Sequence, residues 1–183
     1  MTKQNIDSNL SLAIMGLLSM QHRSGYSVRK VFLTTAMKQF SASPGAIYPA
    51  LRRLEAARLI KGTTEKQETL RPRRVYSLTE SGLSTLKEHL SRPVTREDVI
   101  WRAESIPLRF TFMGELVKKE KALQFLQEVG QETEAYIKVL EAQIKDIEKQ
   151  MPFCSRASIE LGLEGLKTQA RWARRTFKRL KNQ

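Results

Sequence analysis

Five arginines and a lysine are spaced for work on a polyanion. Arg52 and Arg53 are neighbours, and Lys66, Arg71, Arg73 and Arg74 fall within nine residues. A guanidinium presents a planar fork of N–H donors that matches phosphate oxygens two at a time, and an ammonium adds a compact point charge. Ser41, Ser43 and Tyr48 lie close by in the chain and contribute hydroxyls. This set binds and orients; it does not break bonds. No phosphate-cradling glycine loop, nucleophile elbow or His–acid constellation accompanies it, so no catalytic residues are expected. The string Gly162-Leu163-Glu164-Gly165 is too weak a pattern to count.

The bulk composition agrees with a polyanionic partner. The chain has 183 residues, with 32 Lys and Arg against 19 Asp and Glu, a net charge of +13. Nucleic acid is the first partner such a balance suggests, and a membrane surface the second. Residues 1–90 hold 14 basic and six acidic side chains, so the first half carries the larger share of the excess. No run of 18 apolar residues is present, which excludes a transmembrane helix. The N-terminus lacks a basic start followed by an apolar stretch, so no secretory signal is expected. One cysteine, Cys154, fits a reducing cytoplasm, and its plainest role is a small side chain in a loop after Pro152. One Cys and two His are too few for a metal site within one chain, and neither metal nor cofactor is expected.

The elements that must position these residues can be read in order. Residues 10–20 are apolar nearly all round, as in a short buried helix. The stretch His22-Arg23-Ser24-Gly25 breaks it, and Tyr26 to Phe40 forms a second helix with Val28, Val31 and Phe32 inward. Ser43-Pro44 starts a third, because Ser accepts from free N–H groups and Pro fits the first helical position. Ile47, Leu51 and Leu54 line its buried face, and the opposite face carries Gly45, Pro49, Arg52 and Arg53 with Tyr48 on the flank. Pro49 costs that helix a hydrogen bond to residue 45. Residues 60–67 and 73–78 alternate as two antiparallel strands around a Pro-containing tip. A fourth helix follows from Thr79 with Leu83, Leu86 and Leu90. Three helices, a hairpin and a helix in this order make a winged helix-turn-helix over residues 1–92.

The polar segment 91–97 marks a boundary, and residues 98–183 read as an all-helical second domain. A short helix covers about 98–113 and bends at Ile106-Pro107. A long helix from about 115 to 150 carries a coiled-coil-like seam that includes Leu123, Leu126, Ile137, Leu140, Ile144 and Ile147. The last helix, about 155–181, repeats the pattern with Leu163, Leu166 and Phe177. Two such seams are hard to bury by folding on each other alone, so an antiparallel, coiled-coil-like dimerisation domain and a two-fold homodimer are expected. The fold class is mainly α. The last helix also carries Lys167, Arg171, Arg174, Arg175, Lys178, Arg179 and Lys181 with no acid after Glu164. Three roles fit that run: a solvated face, contacts to flanking DNA, or pairing with acids of the long helix.

The first ninety residues resemble the PadR family of winged-helix regulators. The strings that carry the resemblance are Gly25-Tyr26, then Ser43 to Glu55 with its Gly-Ala-Ile-Tyr-Pro core and Leu54-Glu55, then Leu59-Ile60, and Arg73 to Gly82. Arg58 departs from the pattern, standing where the family commonly has Gly, the usual residue of a left-handed helix end. Residues 108–183 are similar, by pattern, to the helical dimerisation domain of longer family members, with Glu160 to Leu163 and Trp172 as markers. The resemblance implies a double-stranded DNA partner, with Ser41, Ser43, Tyr48, Arg52, Arg53, Lys66, Arg71, Arg73 and Arg74 as contacts and Tyr48 donating to a phosphate. Arg52 either reads guanine O6 and N7 or holds a phosphate, and phosphate is favoured because most such contacts go to the backbone. Arg71, at the wing tip, is placed to enter a narrow minor groove. The resemblance also offers Trp101 and Trp172 as a pocket for a flat small-molecule effector, although filling the core is the role we weigh above it. The expected function is a homodimeric, cytoplasmic, sequence-specific DNA-binding repressor with no membrane partner. The competing reading is a winged-helix and coiled-coil adaptor that binds protein and not DNA.

Overall fold

The computed structural model describes residues 8–40, 43–65, 72–145, 147 and 150–183. The chain divides into two compact units, Met1–Leu90 and Ser91–Gln183, each of which is treated by itself below.

The first unit begins with α1, Asn9–Met20, whose Ser8 N-cap accepts from the Ser11 N–H at 3.2 Å. Leu12, Ala13, Ile14, Met15, Leu17 and Leu18 are all buried, so the helix is enclosed on nearly every side, as its uniform apolarity requires. A two-residue strand β1, Arg23–Ser24, follows where the sequence pattern suggested only a break. Ser24 then caps α2, Gly25–Thr34, with Val28 and Phe32 buried. This helix does not continue to Phe40. The Thr34 and Thr35 hydroxyls bond back to the carbonyls of Lys30 and Val31 at 2.9 and 2.8 Å. Such bonds compete with the helical ladder, and the chain tightens into a 3-10 turn, Ala36–Phe40.

Helix α3, Pro44–Ala56, is capped by Ser43, which accepts from Ala46 N–H at 3.2 Å, and runs unbroken through Pro49. Ile47, Ala50, Leu51 and Leu54 form its buried face. The helix ends in a left-handed turn at Arg58, φ 58°. Arg58 N–H donates to the Glu55 carbonyl and Leu59 N–H to that of Leu54, the paired bonds of a Schellman end that glycine usually closes. Strands β2, Ile60–Glu65, and β3, Arg73–Leu78, pair antiparallel with Ile60 opposite Leu78 and Glu65 opposite Arg73. β1 adds to the far side of β3, giving the order β1-β3-β2. The β2/β3 hairpin is the wing. Helix α4, Glu80–Ser91, buries Gly82, Leu86 and Leu90. A Cβ on Gly82 would lie 1.9 Å from the Leu59 carbonyl oxygen, so only glycine admits this approach.

In the second unit the single helix expected over 98–113 is two. Helix α5, Arg96–Trp101, starts from a capping box in which Thr95 Oγ1 accepts from Asp98 N–H and Asp98 accepts from Thr95 N–H. Helix α6 runs Ser105–Leu116. The break falls at 102–104 and not at Ile106-Pro107, because Pro107 lies in the first turn of α6, where its missing N–H has no helical partner to lose. Helices α7, Lys119–Lys145, and α8, Phe153–Lys181, are antiparallel neighbours. Gln169 donates to Thr133 Oγ1 at 3.0 Å, and Gly130 faces Ala173. Cys154 is exposed in the first turn of α8, not in a loop.

The long helices therefore fold on each other more closely than their sequences suggested, with Ala170 and Ala173 of α8 packed against α7. The fit is incomplete on the α8 side, where only Ala170 and Ala173 are buried. α7 buries a wider stripe, adding Ala122, Phe125 and Val129 to the seam residues Leu126 and Ile137.

Candidate nucleic-acid interface

Ser43 caps α3 and Ile47, Ala50, Leu51 and Leu54 anchor it, so the orientation of its outer face is fixed by packing. Tyr48, Arg52 and Arg53 are exposed on that side, with Tyr48 at 38%. Arg52 and Arg53 make no ion pair or hydrogen bond among the described residues and are free to meet phosphate. Tyr48 leans on the start of α2. A Cβ on Gly25 would lie 2.6 Å from its Cε1, so this glycine makes room for the ring that holds Tyr48 in place. The Ser43 hydroxyl is committed to the cap and serves the helix first.

The wing arginines are differently placed. Arg73 donates from Nε to Glu65 Oε2 at 3.0 Å across the hairpin. Arg74 reaches from the opposite face of β3 to Glu55 of α3, at 2.7 Å, and lies 5.9 Å from the centre of the Tyr76 ring. The same Glu55 oxygen accepts from Gly62 N–H at 2.9 Å, so one carboxylate ties α3 to both wing strands. The Arg74 hydrogen bond holds the Glu55 carboxyl below its ordinary value, and burial raises the Tyr76 phenol. Glu55 was not among the expected site residues. The signal available was its place after Leu54, at the end of the helix that the wing must abut. Ser41, Lys66 and Arg71 lie outside the described residues.

The two tryptophans differ in exposure and surroundings. Trp101 ends α5 and is 78% exposed. Trp172 is half-buried with its ring edge-on to Phe110 at 5.5 Å, and Phe110 stacks on Phe125. No ring contact joins Trp101 to Trp172 among the described residues. A cavity of about 290 Å³ lies instead between α7 and α8, lined by Glu141, Ile144, Lys145, Arg156, Ile159, Glu160 and Leu163. Of the residues expected at a dimer interface, Leu126 and Ile137 are closed within the chain. Leu123, Leu140, Ile144, Leu163, Leu166 and Phe177 are half-buried, and Ile147 is 47% exposed.

One polar cluster had no counterpart in the sequence reading. Arg109 of α6 is fully buried, lies 3.8 Å from Asp98, donates to the Arg92 carbonyl and stacks over Phe125. Asp98, also buried, pairs with Arg92 at 2.7 Å. Burial pushes the Arg109 guanidinium down to about 10, so it stays charged at neutral pH. Arg109 sits in the run Leu108-Arg109-Phe110, where a charge reads as solvent-facing, and nothing local marks its carboxylate partner.

Residues 14–88 match the model of the Transcriptional regulator PadR-like family, and that stretch is the winged-helix unit. The chain is 35% identical over 83 residues to the negative transcriptional regulator PadR of Bacillus subtilis, a stretch that is 45% of this chain and 46% of the relative. The match thus spans about half the length of that relative. Among solved structures, B. subtilis PadR in complex with operator DNA aligns at a TM-score of 0.41 and 22% identity, covering 92% of this chain and 97% of that one. A PadR-like transcriptional regulator from Bacillus cereus aligns at 0.41 and 23%, covering 93% and 97%. No helix among the described residues is long and apolar enough to cross a membrane.

Proposed function

We propose that this chain is a sequence-specific DNA-binding transcriptional regulator, a homodimeric repressor of the PadR type that works in the cytoplasm and performs no catalysis. The observation that carries this reading is the outer face of α3, where Tyr48, Arg52 and Arg53 stand exposed on a capped, rigidly packed helix beside a β-hairpin. A helix so held enters the major groove with its N-terminal half, and the free guanidinium groups bind phosphates that fix its register. Arg73 and Arg74 are half-neutralised by Glu65 and Glu55, so α3 leads and the wing supports. The family match over the winged-helix unit and the name of the B. subtilis relative, a negative regulator, support the direction of regulation.

The half-exposed residues Leu163, Leu166 and Phe177, with Leu161 at 76% exposure, support a second copy of the chain as the cover of α8. The half-buried rings of Phe110 and Trp172, edge-on to each other, offer apolar contact to a small-molecule effector. A gel shift at physiological salt tests the reading. Nanomolar retention of the chain's own upstream DNA, with random DNA bound far more weakly, is expected. Equal binding to both removes sequence specificity, and no binding to either favours the protein-binding adaptor.

A further inference from the structure

The geometry points to a second polyanion-binding surface at the end of the α7/α8 hairpin, whose partner is the phosphate backbone of duplex DNA. This inference rests on the reading above that DNA is the partner of the chain. Of the basic residues on α8, three are used inside the fold, one of them Arg171, which donates to Thr168 Oγ1 at 3.0 Å. Lys167 pairs with Glu141 at 3.2 Å, and Arg174 with Glu134 at 3.1 Å. Arg175, Lys178, Arg179 and Lys181 are exposed and make no hydrogen bond or ion pair among the described residues. Arg175 and Arg179 lie on the side of α8 away from Ala170 and Ala173, the residues packed toward α7, with Lys178 on the flank and Lys181 at the helix end.

The antiparallel pairing adds to this cluster. Gly130 opposite Ala173 and Glu134 at Arg174 set the register, which places the first turn of α7 beside the last turns of α8. That turn holds Lys119 and Lys121, with Lys118 just before it, all exposed, and Glu120 as its acid. The helix dipole accounts for basic residues at the end of α8, since cations are stabilised at a helix C-terminus. It does not account for the lysines on α7. There the dipole is positive and cations are disfavoured, so the fold tolerates them against its own electrostatics. Lys121 donates to Gln124 Oε1 at 3.1 Å, whereas the side chains of Lys118 and Lys119 make no hydrogen bond or ion pair among the described residues, so both helices direct cations to one end of the hairpin. From Arg175 to Lys181 the helix rises about 9 Å, a length over which duplex DNA presents about five phosphates. A row of point charges and guanidinium forks with no built pocket suits a repeating phosphate backbone better than a single anion.

The test is the salt dependence of binding to a 60-base-pair mixed-sequence duplex, read by fluorescence anisotropy. The proteins are the wild type, an α8 variant (Arg175→Gln, Lys178→Gln, Arg179→Gln) and an α3 variant (Arg52→Gln, Arg53→Gln). The α8 changes are expected to lower the slope of log K against log salt by about two to three per protomer. Lys118→Gln with Lys119→Gln, on the other helix, is expected to lower it by about two. Circular dichroism checks that each variant keeps its helix content. An unchanged slope in the α8 variant, with affinity lost in the α3 variant, overturns this inference and leaves the α3 reading intact. A reduced slope in the α8 variant with no change in the α3 variant does the reverse. Vesicles containing phosphatidylglycerol provide the remaining arm. Their capture of the wild type but not the α8 variant, with DNA binding unaltered, overturns the inference in favour of a membrane surface.

Discussion

Glu55 on α3 and Arg74 on β3 meet at 2.7 Å, and the same carboxylate oxygen accepts from the backbone of Gly62 on β2. Helix α3 and the wing are therefore locked to each other through one acid. Glu55→Gln keeps the shape but weakens both bonds and frees the Arg74 guanidinium. The expected result is a more mobile wing together with tighter non-specific DNA binding, its salt slope steeper by up to about one. The pH dependence has a definite sign. The folded-state pKa of Glu55 is depressed, so its stabilisation is complete above the ordinary carboxylate value and fades as pH falls below it. Thermal unfolding of wild type and variant between pH 3 and 7 should show a gap that closes toward acid; a constant gap refutes the linkage.

Arg58 pays for its left-handed backbone with steric strain that glycine does not carry. A non-glycine residue there costs about 1–2 kcal/mol, and glycine returns about 0.5–1 kcal/mol as unfolded-chain entropy. Arg58→Gly is thus expected to stabilise the first unit by about 0.5–1 kcal/mol in urea titrations. A loss of stability would mean that the Arg58 side chain does more than its exposure suggests.

Gly82 has no such freedom. The Leu59 carbonyl oxygen stands 1.9 Å from where a Cβ would be. It is backbone, held by the Thr79 amide and hydroxyl at 3.1 Å each. Gly82→Ala must push α4 off the sheet, at a cost of about 3 kcal/mol or more by analogy with overpacked cores. Denaturant midpoints will show it, and a near-neutral change would contradict the packing described.

The buried Arg109–Asp98 pair governs the second unit. Arg109→Met removes the charge at similar volume and leaves Asp98 with Arg92 as its ion-pair partner. Breaking a buried pair from one side costs about 3–5 kcal/mol. Asp98→Asn, which also weakens the Arg92 contact, is expected to cost less in the Arg109→Met background than alone. A double variant destabilised by the sum of Arg109→Met and Asp98→Asn alone would show that the two side chains act independently.

Arg52→Ala with Arg53→Ala should weaken DNA binding more than Arg73→Ala with Arg74→Ala, because the first pair is free and the second is ion-paired in the chain. Anisotropy on one duplex ranks the two variants directly, and the opposite order moves the leading contacts to the wing.

The sequence by itself determined many features that depend on near neighbours, although not the end of α2 at Thr34 or the break at 102–104. Ser43-Pro44 started α3 because a cap and a φ-fixed first residue act within one turn. Ile47, Leu51 and Leu54 declared the buried face by spacing, and Arg52 and Arg53 the exposed one. Tertiary structure decided what depends on residues far apart in the chain. Glu55 and Arg74 are 19 positions apart, and only the packing of the wing against α3 ties the two together. Gln169 and Thr133 are 36 apart, and the packing of Ala170 and Ala173 against α7 closes the two helices on each other where their apolar seams alone suggested a second chain. Burial of Arg109 belongs to the same class, since a charge among apolar neighbours reads as exposed until a fold supplies its carboxylate. Local propensity is written over three or four residues; pairing across a fold is a property of geometry that no short window contains.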